Sequence, residues 1–231
     1  GLTSAGINVY RVGVLPTPAI AHLVAEMKCD LGVMISASHN PMPDNGIKLF
    51  ARGGGKLDDA IEARIEARMG EDWERPTGRN VGRVINDDAV TEKYLQHLLS
   101  SVETPLKGLK IVVDCANGAT YQVAPAIFRE LGAEVVTVAC EPNGKNINDG
   151  IGSTHTEAIV KLVKDNNLDF GFSYDGDADR IMLVNKKGVV LDGDYIIYLI
   201  GKDLKEKDKL NNNCVIGTVM TNLGLKNALK E

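Results

Sequence analysis

The stretch Lys110–Val138, KIVVDCANGATYQVAPAIFRELGAEVVTV, carries the pattern that decides the fold. Lys110–Asp114 is a short, mostly apolar run and predicts a strand. Asn117-Gly118 is a turn signal. Ala124, Ile127, Phe128 and Leu131 recur at helical spacing, and Gly132 is placed to close that helix. Glu134–Val138 is a second β-branched run and predicts the next strand. Strand, turn, helix and strand in that order is the unit of layered α/β proteins with parallel pairing.

The pattern extends in both directions. Upstream, Val9–Val14 predicts a strand, and Thr17 is placed to cap a helix with Pro18 in its first turn. Ile20, Leu23, Val24 and Met27 form that helix's apolar face. Leu31–Ile35 is a continuous apolar run, as expected of a strand buried on both faces. Ile47–Ala51 predicts a further strand, and Gly53, Gly54 and Gly55 a turn. Asp58–Met69 predicts an amphipathic helix with Ile61, Ile65 and Met69 as its stripe. Glu71–Asn86, polar and broken by Pro76, Gly78 and Gly82, reads as a linker. A helix with Tyr94, Leu95, Leu98 and Leu99 follows it.

Downstream, Cys140–Gly152 is a long loop. Thr154 with Glu157 resembles a capping box opening a helix through Lys164. Phe170–Ser173 predicts a strand, and Ile181–Val184 with Val189–Leu191 a hairpin. Asp194–Leu204 predicts a helix, Cys214–Val219 a strand, and Leu225–Glu231 part of another helix. The expected class is α/β, with repeated three-layer α/β/α domains and mixed, mostly parallel sheets. The expected division is 1–86, 87–188 and 189–231, the last an incomplete unit. Both ends read as fragment ends, since Gly1 stands where an initiator Met is expected.

Composition narrows the function classes. The 231 residues are 44% hydrophobic and 25% charged, as in an ordinary globular protein. The net charge of −5 favours neither nucleic acid nor an anionic membrane as partner. No apolar run reaches the ~20 residues that span a bilayer, and no signal peptide is visible. Cys29, Cys115, Cys140 and Cys214 show no metal-binding spacing and read as reduced thiols of a cytoplasmic protein. No P-loop or paired dinucleotide fingerprint occurs, so nucleotide binding lacks support.

Two constellations carry chemistry. Ser36-Ala37-Ser38-His39-Asn40-Pro41 leaves a strand, where open α/β sheets bind ligands. Its serines are weak nucleophiles without a base or metal, and Lys48 adds a positive charge nearby. The bland alternative is a turn whose Ser and Asn side chains bond to backbone. Asp175-Gly176-Asp177-Ala178-Asp179-Arg180 follows another strand. Three carboxylates at alternate positions need a cation or positive neighbours, and hard oxygens suit magnesium or calcium. An EF-hand is excluded because Arg180 and Lys186 stand where its Gly and Glu belong. A solvated acidic turn, or a calcium-binding or interaction module without chemistry, stays open. His22 and His97 sit on helices without partners, and His155 at a helix start.

S-A-S-H-N-P followed by D-N-G-I-K-L-F, with D-G-D-A-D-R far downstream, resembles the α-D-phosphohexomutase family over essentially the whole chain. Ser36, Asn146-Ile147-Asn148 and Gly152-Ser153-Thr154-His155 resemble the branch of that family acting on glucosamine phosphates. Gluco- and mannophosphate branches stand as alternatives. The resemblance implies four domains, three of them similar α/β units. The chain would hold most of the first, all of the second and the start of the third. An N-terminal segment, the sugar-specificity loop and a fourth domain would lie outside it, and turnover would need them. It implies that Ser38 is phosphorylated, and that Ser38, Asp175, Asp177 and Asp179 hold Mg2+. Arg180 would touch the phosphate, with His39 and Lys48 lining the site. Lys48 is the candidate acid/base, its pKa lowered by positive charge such as Arg180. The implied partners are a hexosamine phosphate and a sugar bisphosphate, with room for a homodimer. The implied reaction feeds cell-wall precursor synthesis.

Overall fold

The structure, a computed structural model of the chain, describes residues 1–87 and 89–230. The N-terminal part runs through β1 (Val9–Arg11), α1 (Thr17–Glu26), β2 (Leu31–Ile35), β3 (Ile47–Ala51), α2 (Asp59–Ala67) and β4 (Val84–Asn86). β2 and β3 pair antiparallel, with Leu31 opposite Ala51 and Ile35 opposite Ile47, so residues 36–46 form the loop at one end of this hairpin. β4 pairs parallel with β1, which places a strand inside the segment expected to be a linker.

Two expectations about burial are corrected here. β2 alternates rather than being buried on both faces: Gly32 is buried, whereas Leu31, Val33 and Ile35 are exposed. Among the described residues its ladder runs to β3 alone, and α1 covers just one of its faces. α2 forms where expected, capped by Asp58 accepting from the Ala60 backbone N–H, yet Ile61, Ile65 and Met69 are exposed. A helical stripe is buried only where a second element lies against it.

The second part comprises α3 (Val90–Ser100), β5 (Lys110–Asp114), α4 (Val123–Glu130), β6 (Glu134–Val138), α5 (Glu157–Asp165), β7 (Phe170–Tyr174), β8 (Ile181–Asn185) and β9 (Val190–Leu191). These strands form one mixed sheet in the order β6-β5-β7-β8-β9. β5 is parallel to both β6 and β7, and the hairpin β8-β9 adds antiparallel strands beyond β7. Ile111 and Val113 face α4 together with Ala124 and Phe128. Val112 faces α5 with Ile159 and Val163. Each fully buried aliphatic side chain contributes about 1.5–3 kcal/mol of burial, so β5 is the axis of this unit. A third cluster, Leu15, Ile20, Leu23 and Val24 against Val90, Tyr94 and Val123, presses α1 onto α3 and α4. That contact brings the loops of the two parts to the same place.

The helix at 157–165 lacks the expected capping box: no side chain caps it, and Thr154 Oγ1 lies 3.0 Å from His155 Nδ1 instead. Beyond β9 come α6 (Gly193–Glu206) and α7 (Leu223–Ala228). Cys214–Val219, expected as a strand, is irregular, and Val219 is 97% exposed. Among the described residues it has no neighbouring strand, and an unpaired strand leaves its backbone bonds unmade. Glu231, the end of the expected Leu225–Glu231 helix, lies outside the described residues. His22 and His97, expected to lack partners, stack on each other with ring centroids 3.8 Å apart. All four cysteines are free. No helix among the described residues is long and apolar enough to cross a membrane.

Candidate active site

The acidic loop leaves β7, and the turn at 115–118 leaves its parallel neighbour β5. α4 and α5 lie on opposite faces of these strands, so both loops sit at the point where the chain changes side, which is where open α/β sheets bind ligands. The β2-β3 loop reaches this point from the other half of the molecule. Ser38 Oγ donates to Asp175 Oδ2 at 3.0 Å across 137 residues of chain. Arg180 Nη2 donates to the same Ser38 Oγ at 2.9 Å and lies 2.9 Å from His39 Nδ1. Arginine is only a donor, so His39 Nδ1 is the acceptor there, and the ring's other nitrogen carries the proton.

Ser38 is held at every polar atom. Its backbone N–H donates to Ser36 Oγ at 2.9 Å, and its carbonyl accepts from Asn148 Nδ2 at 2.9 Å. Its φ is +57°, a conformation that few residues other than glycine adopt without support.

Asp175, Asp177 and Asp179 each offer one oxygen, and the three oxygens lie within 4.8 Å of one another. Asp175 and Asp177 are buried, while Asp179 is partly open. Burial pushes the Asp175 carboxyl above the usual aspartate value, against bonds from the Arg180 backbone and Ser38. Burial acts the same way on Asp177, but bonds from Lys48 and Thr17 outweigh it and leave that carboxyl below its usual value. Lys48 Nζ donates to Asp177 Oδ2 at 2.5 Å and to Asp179 Oδ2 at 2.8 Å.

This corrects the expectation for Lys48. Burial works to lower its pKa, but the bonds to Asp177 and Asp179 prevail and raise it. Arg180, the expected cause of a lowered value, points its Nε towards Asp175 and Asp179, 3.5 Å from each. Two carboxylates in contact outweigh a guanidinium that is itself paired.

The donor set fits a hard divalent cation on one specific observation. Asp177 Oδ1 is buried and has no hydrogen-bond partner among the described residues, and an unpaired buried carboxylate oxygen is costly unless a cation or donor meets it. The seven residues singled out from the sequence, Ser38, His39, Lys48, Asp175, Asp177, Asp179 and Arg180, meet at one place.

Two further residues were given no role at the site from the sequence, although Asn148 belongs to the branch-like string Asn146-Ile147-Asn148. Thr17 Oγ1 donates to Asp177 Oδ2 at 2.5 Å, and the Thr17 backbone N–H donates to the Asp177 carbonyl at 2.9 Å. Thr17 was expected as a helix cap, but the N-cap is Pro16 and no side chain caps α1. Asn148 donates to both Ser38 and Asn40 carbonyls. Nothing in a local pattern separates either residue from an ordinary cap or turn residue.

Models of the phosphoglucomutase/phosphomannomutase family match the chain in three consecutive pieces: α/β/α domain I over residues 1–75, domain II over 92–188 and domain III over 192–231. A curated phosphoglucosamine mutase of Saccharopolyspora erythraea is 53% identical over 231 residues, which is 100% of this chain and 52% of that protein. One from Thermobifida fusca is 52% identical over 231 residues, covering 100% and 51% respectively. The chain thus spans about half the length of the curated relatives it matches. Among solved structures, a phosphoglucomutase/phosphomannomutase family protein of Burkholderia thailandensis matches with a TM-score of 0.76 at 25% identity, covering 90% of this chain and 46% of that one. An N-acetylphosphoglucosamine mutase of Aspergillus fumigatus, solved with glucose 1,6-bisphosphate, shares the fold with a TM-score of 0.56 at 18% identity, covering 85% of this chain and 53% of that one.

Proposed function

The chain belongs to the phosphoglucomutase/phosphomannomutase family, and from that premise we propose that the intact protein interconverts glucosamine 6-phosphate and glucosamine 1-phosphate. The reaction runs through phosphorylated Ser38 and a sugar bisphosphate. The observation that carries this reading is the Ser38 hydroxyl, 3.0 Å from Asp175 Oδ2 and 2.9 Å from Arg180 Nη2. The glucosamine substrate is supported by curated relatives that are 53% and 52% identical over the 231 matched residues and are phosphoglucosamine mutases.

Phosphoryl transfer asks a protein mainly for positioning and charge stabilisation. Phosphorylated Ser38 passes its phosphoryl group to a hydroxyl of the sugar monophosphate: the P–Oγ bond breaks, a new P–O bond forms, and the proton lost by the sugar hydroxyl is balanced by one gained at Ser38 Oγ, which is left as a free hydroxyl. The bisphosphorylated sugar turns over and returns its other phosphoryl group to Ser38. Arg180 faces the oxygen whose bond to phosphorus breaks, and His39 orients that guanidinium by accepting from it. Lys48 enters as an ammonium, matched in charge to a phosphorylated sugar and able to donate a proton to a departing oxygen. Asp175, Asp177 and Asp179, with an oxygen on Ser38, would hold Mg2+, whose chemistry is to offset the charge that develops in transfer.

The same reading divides the chain at about residues 86 and 188, supported by the gaps between the matched segments. It places the reaction in the cytoplasm, supplying cell-wall precursors. A homodimer belongs to the reading too and is checked by light scattering of the full-length protein.

The test uses the full-length protein and a radiolabelled hexosamine bisphosphate. Wild type takes up label on Ser38 and Ser38→Ala takes up none; label retained in Ser38→Ala defeats the assignment. A comparison of kcat/KM on glucosamine, glucose and mannose phosphates decides among the branches, and a preference for glucose or mannose overturns the substrate assigned here.

A further inference from the structure

We propose that Asn148 is a positioning residue for phosphoryl transfer, holding Ser38 in its reactive conformation from the opposite half of the molecule; this rests on the phosphoserine reading above. Asn148 lies in the loop between β6 and α5, 110 residues from Ser38. It is buried, and its backbone N–H donates to the Ala116 carbonyl at 3.0 Å, which ties it to the turn after β5. Its Nδ2 donates to two carbonyls of the β2-β3 loop, Ser38 at 2.9 Å and Asn40 at 3.0 Å. Both partners are acceptors, so the side chain has its nitrogen on that side whatever else surrounds it.

The two bonds bracket the residue that reacts. Ser38 has a φ of +57°, and a serine keeps such a conformation only where its surroundings over-determine it. Ser36 supports the N–H side of Ser38 from within the same loop. Asn148 supports the carbonyl side, and it reaches there over Gly176 of the acidic loop. A Cβ on Gly176 would stand 2.6 Å from Asn148 Nδ2 and 2.6 Å from the Ser38 carbonyl. Serine loop, acidic loop and Asn148 loop thus meet along one line, with Asn148 outside the set of groups that touch the phosphoryl group. Its effect is to fix where Ser38 Oγ stands relative to Asp175 and Arg180, and a displacement of about 1 Å in such a group costs about 100-fold in rate.

The experiment measures single-turnover labelling of Ser38 by a hexosamine bisphosphate in full-length protein carrying Asn148→Gly. Asn148 itself has a φ of +54°, which glycine accepts, so this change removes the amide and spares the backbone. The labelling rate should fall by about 100-fold, while half-saturation by the bisphosphate and the apparent magnesium affinity stay within about two-fold. Asn148→Asp keeps the size and the backbone bond but turns a donor towards two carbonyls into an acceptor; it should be slowed at least as much, and it carries the test if the glycine variant does not fold. Labelling of the variants at the wild-type rate overturns the proposal. So does a slower rate accompanied by an equal loss of magnesium affinity and thermal stability, which marks a general structural role. Wild type that takes no label on Ser38 overturns the phosphoserine reading itself, a result distinct from wild type and variants labelling alike.

Discussion

Alanine at Gly118 would place a Cβ 2.2 Å from the carbonyl oxygen of Gly176 and 2.7 Å from both its carbonyl carbon and its Cα. All three atoms are backbone, so no side chain can rotate away. Gly118 does not have a positive φ, so the cost is steric rather than conformational. Overpacking of this kind costs about 1–3 kcal/mol. The clash also parts the neighbouring bond in which the Ala119 N–H donates to the Gly176 carbonyl at 2.7 Å, and an intramolecular hydrogen bond contributes about 1 kcal/mol. Together they predict a loss of about 2–4 kcal/mol, a large share of the roughly 5–15 kcal/mol that holds a domain folded. With a urea slope of about 2 kcal/mol/M, the midpoint of Gly118→Ala falls by about 1–2 M. Gly176 belongs to the acidic loop, so magnesium affinity falls with it, measured by calorimetry on the folded variant. A midpoint unchanged from wild type, together with unchanged magnesium affinity, would refute the claim that the turn after β5 backs the acidic loop.

Thr17→Val removes the hydroxyl that donates to Asp177; a hydrogen bond to a charged group contributes about 1.5–3 kcal/mol, and a drop of that order is expected in urea unfolding. Asp114 is buried and accepts from the Ala116 and Gly152 N–H groups and from Ser173 Oγ. Asp114→Asn turns an amide towards donors and should cost about 1–3 kcal/mol by the same assay. In metal-free protein, stability depends on pH through Asp177. Asp177 is pushed up by burial but held below the ordinary 3.8 by Lys48 and Thr17. A depressed folded pKa contributes stability that is present above 3.8 and lost as pH falls through the folded value. In Lys48→Met the largest of the depressing bonds is gone, so this contribution shrinks. The stability gap between wild type and Lys48→Met should therefore be widest near neutral pH and narrow as pH falls below 3.8; a gap constant with pH would overturn the assignment.

Local chemistry was enough to find the elements and the reacting groups. Glu134–Val138 and Ile47–Ala51 were legible to the residue because short runs rich in β-branched, aromatic or other apolar residues between turn signals favour extended backbone. Asp175, Asp177 and Asp179 stood out because adjacent like charges demand a counterion, wherever the chain later puts them. Whether Leu31–Ile35 would be buried on one face or two was not legible, since that depends on what packs against the strand. Cys214–Val219 has strand composition but no partner to pair with among the described residues. Thr17 looked like a cap and Asn148 like one residue of a long loop, and their hydroxyl and amide found partners 160 and 110 residues away. The direction of the Lys48 shift turned on which charges came within bonding distance. Residue type determines what a group can do and what its neighbours in the chain will tolerate. Which distant group it meets is decided only when burial of α1 against α3 and α4 draws the loops together, because hydrogen bonds and charges act over ångströms in space and not along the sequence.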